Sequence, residues 1–316
     1  MRIPRLYLYP YLAVLLIAGV LSSRFIYENV SRVIIEKKRD IDITVNGKCA
    51  LIMDADNGSV LYGKNPDSKY PPASTAKVMT AVVAIENMDL ARDVIPGSKV
   101  VQVEPTIAGL KPGVKYKLRD LISAILIKSA NDAAFVIAEA VAGSEKAFSG
   151  MMNEKAAQIG MKNTFFVRAS GLPTGRKDSQ YTTAEDLAVL MRYARRYHVI
   201  LENMSKKEKT IIGSDGKKIY LRTHNKALFK TKNAPWGKTG YTREAKRTFI
   251  GTDPGADHKI VFGLLQSNNL WQDILTLKNK GLLLYNVENT GFIKALITWI
   301  SRQRENGRDA ISGVEA

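Results

Sequence analysis

Short apolar runs mark the two ends of the folded part of this chain, and a helical period occupies its middle. The runs at 50–54 and 59–62 flank Asp56-Asn57-Gly58, and Asn-Gly between two such runs predicts a β-hairpin. Pro71-Pro72 ends the extended structure. Ala76, Met79, Val83 and Ile85 follow in a stretch of helix-like composition. From 118 to 141 the helical pattern returns through Leu121, Ile122, Ile125, Leu126, Phe135, Ile137 and Ala138. A further helix is predicted over 145–159, stopped by Gly160 as a C-cap. Thr183 followed by Asp186 forms an N-capping pattern ahead of Leu187, Leu190 and Met191. Beyond Ile211 the period shortens. Ser214-Asp215-Gly216 reads as a turn, and 248–252 and 259–265 read as strands joined through Asp253-Pro254-Gly255. Strands, a helical block and strands again fit a single α/β unit, its sheet built from both ends and a helical lobe inserted between them.

The ends differ from this core. Arg2 and Arg5 precede an apolar run at 6–21, which Arg24 closes. That order marks residues 1–24 as an export signal. Val20-Leu21-Ser22-Ser23 matches the Ala-x-Ala cleavage pattern poorly, which favours a retained membrane anchor over a cleaved signal peptide. Residues 25–42, containing Glu36-Lys37-Lys38-Arg39-Asp40, read as a polar connector. The unit at 43–290 comes next. Residues 291–316 form a short tail, whose segment 292–300 is amphipathic and precedes Arg302 and Arg304. Such a stretch packs on the domain or lies on an anionic membrane.

Composition narrows the class. With 316 residues, 45% hydrophobic and 24% charged, the chain is globular and long enough to bury a sizeable core. The single cysteine, Cys49, lies in an apolar run and reads as a core hydrophobe. The net charge of +17 attracts polyanions. The densest cluster, Lys206, Lys207 and Lys209, comes with no nucleic-acid-reading motif. A solvated basic surface is therefore expected and nucleic acid is not.

The three histidines, His198, His224 and His258, stand in no pattern that supplies triad partners. No His-Glu-x-x-His or Cys-x-x-Cys spacing is present, so neither a metal nor a cofactor is expected. Lysine is the better candidate base. Ser74-Thr75-Ala76-Lys77 has Ser-x-x-Lys spacing, which on a helix puts hydroxyl and amine on one face. Burial or nearby cations would keep such an amine neutral and able to take the hydroxyl proton. A second copy, Ser214-Asp215-Gly216-Lys217, contains a turn dipeptide and reads as a hairpin. Ser129-Ala130-Asn131 offers a proton-relaying hydroxyl and an orienting amide. Ser267-Asn268-Asn269 repeats its spacing after a strand. Lys238-Thr239-Gly240 occurs once. Its lysine and threonine suit a carboxylate, and its glycine lets a strand approach a ligand. The order Ser-x-x-Lys, Ser-x-Asn, Lys-Thr-Gly is the signature set of penicillin-binding proteins and class A β-lactamases.

The likeness extends past these motifs. Ile52-Met53-Asp54-Ala55-Asp56-Asn57-Gly58, Lys64-Asn65-Pro66-Asp67 and Pro72-Ala73-Ser74-Thr75-Ala76-Lys77-Val78-Met79-Thr80-Ala81 resemble the low-molecular-weight D-alanyl-D-alanine carboxypeptidases. So do Gly109-Leu110-Lys111-Pro112-Gly113, Ser129-Ala130-Asn131-Asp132-Ala133-Ala134 and Gly237-Lys238-Thr239-Gly240-Tyr241-Thr242. The resemblance implies a β-lactamase/transpeptidase-like α/β fold, an antiparallel sheet flanked by helices plus an inserted helical lobe. It implies Ser74 as nucleophile, Lys77 as general base, Ser129 as proton relay and Asn131 as the group orienting Lys77 and substrate. Lys238 and Thr239 would bind the terminal carboxylate beside Gly240, and the N–H groups of Ser74 and Tyr241 would form the oxyanion hole. The implied substrates are peptidoglycan stem peptides ending in D-Ala-D-Ala, with β-lactams as inhibitors. The implied place is the periplasm or the outer face of the cytoplasmic membrane.

Two departures stand out. Where the family usually carries Asn-Pro-x-Gly-Leu, this chain has Arg168-Ala169-Ser170-Gly171-Leu172, and where it usually carries Ala-Gly, this chain has Ala245-Lys246. A D,D-endopeptidase would use the same residues. A β-lactamase of class A would need a glutamate in a Glu-x-x-Leu-Asn loop, which is missing between Asn131 and Lys238. A wall-binding protein with a decayed site is the non-enzymatic alternative.

Overall fold

The computed structural model describes residues 41–173 and 180–289. The export segment 1–24, nearly all of the connector and the 291–316 tail lie outside them. By internal contacts the chain divides into a unit spanning Ile43–Leu282 and a second comprising Met1–Asp42 with Leu283–Ala316. The first unit holds the whole sheet and every candidate site residue.

The N-terminal hairpin is present as β1 (Cys49–Asp54) and β2 (Val60–Lys64), with Gly58 at φ 81 in its turn. A 3-10 turn at Ala73–Ala76 leads into α1 (Lys77–Asn87). After β3 (Asp93–Val94) and β4 (Tyr116–Lys117), the stretch read as one helix from 118 to 141 is broken. α2 (Leu118–Ser123) passes into a π-turn at Ala124–Lys128, Ser129 takes a left-handed φ of 62, and α3 (Asn131–Ala142) starts afresh. The apolar period runs across this break because both flanks bury the same core. Periodicity alone does not register one residue turned left-handed.

Ser144 caps α4 (Glu145–Gln158) through the Ala147 amide, and Thr183 caps α5 (Ala184–Ala194) through the Asp186 amide. Next come α6 (His198–Ser205), the hairpin β5 (Glu208–Ile212) and β6 (Lys218–Arg222), and α7 (Ala227–Lys230). β7 (Trp236–Thr242), β8 (Lys246–Thr252) and β9 (Ile260–Ser267) then complete a five-stranded sheet in the order β2-β1-β9-β8-β7. All its pairings are antiparallel. α8 (Leu270–Asn289) lies beyond the strands and the sequence pattern missed it.

Strand alternation explains the layers. Leu51, Gly263 and Leu265 face α5, and a Cβ on Gly263 would come within 2.4 Å of the Ala184 carbonyl oxygen. Ile52 and Ile260 face the other way and meet Gly281 of α8. Both faces are covered, so all eight residues of β9 are buried and its first six, Ile260 to Leu265, read as a continuous apolar run. Leu270, Ile274 and Leu277 supply the buried stripe of α8 at i, i+4 and i+7. Cys49 is buried on the α5 side of the sheet with Leu51 and Leu265, and this burial pushes its thiol pKa up. α1 is buried from Lys77 to Ala84 and forms the axis of the helical lobe, between the sheet side and α3 and α4. Among the described residues, no helix is long and apolar enough to cross a membrane.

Asp273, buried at the start of α8, ties that helix to the segment just ahead of β1. Its carboxylate accepts hydrogen bonds from the Asn46 amide (2.8 Å), the Gly47 amide (2.9 Å) and Ser267 Oγ (2.6 Å). The Ser267-Asn268-Asn269 segment is thus a strand-to-helix junction. Asp273→Ala leaves these donors unpaired, and urea unfolding is expected to show a loss of about 3 kcal/mol.

Candidate active site

Three elements converge on one cleft: the 3-10 turn before α1, the Ser129 turn between α2 and α3, and the edge strand β7. The turn holding Ser74 packs against β7, and its seat is tight. Ala73 takes φ 49, and a Cβ on Gly171 would come within 1.9 Å of the Ala73 carbonyl oxygen. A Cβ on Gly240 would meet Thr248 Oγ1 at 2.3 Å and the Ser74 amide nitrogen at 2.9 Å. Glycine at 240 therefore lets β7 close on the backbone of Ser74. Tyr241, the next residue, has a side chain 64% exposed, so any part it plays at Ser74 falls to its backbone.

Lys77 is fully buried. Its Nζ lies 2.9 Å from Ser74 Oγ, 2.8 Å from Asn131 Oδ1 and 2.6 Å from the Ser170 carbonyl oxygen. A neutral amine has two N–H bonds and one lone pair. The amide and carbonyl oxygens can only accept, so they take both N–H bonds and leave the lone pair for the Ser74 hydroxyl. Burial first, then the Lys238 charge, hold the Lys77 amine well below its usual value, against the opposing pull of Asp132. Asn131 is itself fixed, donating from Nδ2 to the Glu104 carbonyl (3.0 Å) and from its backbone to the Thr106 carbonyl (2.7 Å). The buried Asp132 accepts from the amides of Ala108, Gly109 and Leu110 and so shapes the loop over the cleft.

Lys238 is also buried, and desolvation lowers its pKa to about 7. It donates to Ser129 Oγ (2.8 Å) and to the Thr239 carbonyl (2.6 Å). Ser74, Lys77 and Asn131 thus form one hydrogen-bonded group and Lys238 and Ser129 another, joined along the chain by Ser129-Ala130-Asn131, with half-buried Thr239 beside them on β7.

The repeat spacings lie elsewhere. Ser214 sits at the tip of the β5–β6 hairpin, where its Oγ accepts from the Lys115 amide, and Lys217 is exposed. His258 is held by the Asp253 carbonyl at 2.8 Å and packs at a tilt against Trp236, with ring centres 5.0 Å apart. His224 is different. Its pKa falls to about 4 through desolvation, with Lys238, Lys77, Lys128 and Lys226 adding to the effect. Nothing in the local sequence pairs it with the cleft. The carbonyls of Glu104 and Ser170 were equally invisible, since any residue type supplies a carbonyl. Among the described residues, no three His, Cys, Asp or Glu side chains converge to hold a metal ion.

The depressed lysines set the sign of the pH effect. Between the lowered folded value and 10.5 the unfolded chain binds more protons, so stability rises with pH across that window. Urea unfolding at pH 7 and 9.5 is expected to show wild type gaining about 1 kcal/mol or more relative to Lys77→Met. An equal pH slope in both proteins would contradict a buried, proton-poor amine.

Known proteins carry the same framework. The family model described as D-alanyl-D-alanine carboxypeptidase matches residues 35–267. The chain is 32% identical over 240 residues to the D-alanyl-D-alanine carboxypeptidase DacB2 of Mycobacterium tuberculosis, covering 74% of this chain and 81% of that one. It is 33% identical over 214 residues to a D-alanyl-D-alanine endopeptidase of Pseudomonas aeruginosa, covering 65% and 68%. A crystal structure of D-alanyl-D-alanine carboxypeptidase from Mycobacterium tuberculosis superposes with a TM-score of 0.71 at 30% identity, over 76% of this chain and 92% of that one. With the family model spanning well over half its length and the cleft built from the same three motifs, the chain belongs to the D-alanyl-D-alanine carboxypeptidase family of serine peptidases.

Proposed function

We propose that this protein is a serine D-alanyl-D-alanine carboxypeptidase that trims peptidoglycan stem peptides through an acyl-enzyme on Ser74. The observation that carries the reading is the buried Lys77 amine, 2.9 Å from Ser74 Oγ with its other two partners both acceptors. Lys77 takes the Ser74 proton as Oγ attacks the carbonyl carbon of the penultimate D-alanine. The oxyanion forms against the Ser74 and Tyr241 amides. The C–N bond breaks, and the proton held on Lys77 passes through the Ser129 hydroxyl, which already accepts from Lys238, to the leaving amine, so that Lys77 is neutral again. Water then attacks the ester, and its proton returns by way of Lys77.

The substrate's terminal carboxylate answers a charge imbalance. Lys77 and Lys238 are buried, and neither lies within ion-pair distance of an acid among the described residues. An arriving carboxylate at Lys238 and Thr239 relieves that deficit. β-Lactams carry a carboxylate beside a strained amide and would leave an ester on Ser74. Residues 1–24 support action outside the cytoplasmic membrane, anchored or released, with 43–290 as the catalytic domain. Cutting a cross-link would use the same groups, and the endopeptidase relative keeps that as the second reading.

Intact-mass spectrometry with penicillin is expected to give a persistent adduct mapped to Ser74. Ser74→Ala and Lys77→Ala should each lower acylation at least about a thousandfold, while Ser214→Ala labels normally. Normal labelling of Ser74→Ala would overturn the mechanism. The acylation rate should fall as pH drops through the Lys77 value, with a midpoint well below 10.5, because only the neutral amine accepts the proton.

A further inference from the structure

The outer face of the β5–β6 hairpin carries side chains that the chemistry above does not use. The register pairs Glu208 with Arg222, Thr210 with Tyr220, and Ile212 with Lys218. Strand alternation sets these six on one face. All six are exposed, whereas Ile211 and Leu221 on the opposite face are buried. Ile212 and Tyr220 are each 53% exposed. Phe229 of α7 adjoins them, with the Arg222 guanidinium 5.1 Å and the Lys207 ammonium 5.6 Å from its ring centre. Exposed rings flanked by cations mark a surface built for contact rather than for solvent alone.

Charge gathers on the same segment. Residues 206–232 contain nine lysines and arginines against Glu208 and Asp215. Lys209 is engaged by Asp120 and Lys206 by Glu202. Arg222 meets Glu208 at 3.5 Å, and Lys207, Lys217, Lys218, Lys226, Lys230 and Lys232 remain exposed. At the hairpin tip the adjoining Lys217 ammonium holds Lys111 below its ordinary pKa, a repulsion that a bound anion would relieve. The tip is not loose: Ser214 exchanges hydrogen bonds with the backbone of Lys115 at 2.9 Å in both directions. The other end of the hairpin adjoins the cleft. β6 packs against the π-turn that precedes Ser129, and Asn225, just beyond β6, donates to the Pro235 carbonyl at 2.9 Å immediately ahead of β7.

We propose that this face is an accessory substrate site that holds the acidic, sugar-bearing remainder of a wall strand while one of its peptide ends occupies the cleft. Tyr220 and Phe229 lie against sugar rings, and Lys207, Lys218 and Arg222 meet carboxylates. The proposal rests on the D,D-peptidase reading and adds a substrate preference: polymer over short soluble peptide. An anionic bilayer would attract the same cations. Continuity of the face with the cleft favours the strand, because only a substrate that enters the cleft needs the two joined.

Two variants of the full chain test this, Lys218→Glu/Arg222→Glu and Tyr220→Ala/Phe229→Ala. All four positions are exposed, so folding should survive and thermal melting checks it. Each variant is expected to lower co-sedimentation with purified sacculi, and D-alanine release from them, by about tenfold. Added salt should weaken the wild type similarly. Turnover of a soluble pentapeptide and acylation by penicillin should not change. Unaltered sacculus binding would overturn the proposal. So would an equal loss on the soluble peptide, which would put the effect in the cleft, or a loss confined to flotation with anionic phospholipid vesicles, which would make the face a membrane contact. If no form of the protein reacted with penicillin, the peptidase reading would fail, while sacculus binding would still report on the hairpin separately.

Discussion

Two lysine amines buried in one cleft are the constraint to which the rest of this structure answers. Taking one charged lysine out of water costs several kcal/mol, and a second nearby makes both costlier. No carboxylate within ion-pair distance offsets them among the described residues. The protein meets the cost with neutral acceptors: Asn131 Oδ1, the Ser170 carbonyl, Ser129 Oγ and the Thr239 carbonyl. Each acceptor sits on a different element, so the sheet edge, the lobe and the 168–172 loop must all be in place before the lysines can be buried. The core that holds them there is large, with α1 buried along most of its length and the sheet covered on both faces. Catalytic potential and folding cost arise from the same desolvation.

Much of this was legible in the sequence because it is written in side-chain chemistry. Ser74, Lys77, Ser129, Asn131 and Lys238 are residue types with few substitutes for their tasks, and their order along the chain narrows the family. The hairpin at Asn57-Gly58, the cap at Thr183 and the strands at the two ends of the unit carry strong local signals. What stayed hidden is written in backbone. The break at Ser129 depends on one φ angle, and the carbonyls of Glu104 and Ser170 have no residue signature. The helix Leu270–Asn289 was missed because its buried stripe is short and its exposed side mixes polar with apolar residues.

The departures from the family pattern also become intelligible in backbone terms. The cleft uses the 168–172 segment through the Ala169 carbonyl, which accepts from Thr80 at 2.7 Å, the Ser170 carbonyl on Lys77, and the absent side chain of Gly171. Arg168 and Ala169 can therefore stand where the family has Asn and Pro without disturbing any of these. Arg168 reaches Glu104 at 3.7 Å, whose own carbonyl steadies Asn131. Lys246 sits at φ 51, a conformation natural to the glycine it replaces and costing about 1–2 kcal/mol for other residues. Its side chain is exposed at the rim, so the change alters charge there and leaves the ladder between β7 and β8 intact.

The contact between Gly171 and the Ala73 carbonyl bears on how such a target evolves under a drug. No side chain fits at 171, and at 240 a methyl group would strike both Thr248 and the Ser74 amide. These two walls of the cleft are closed to point substitution without dismantling the nucleophile's own turn. Change meets no such wall at Arg243 and Lys246, whose side chains are exposed. A ligand that drew its affinity from the glycine walls would leave selection few single steps of escape.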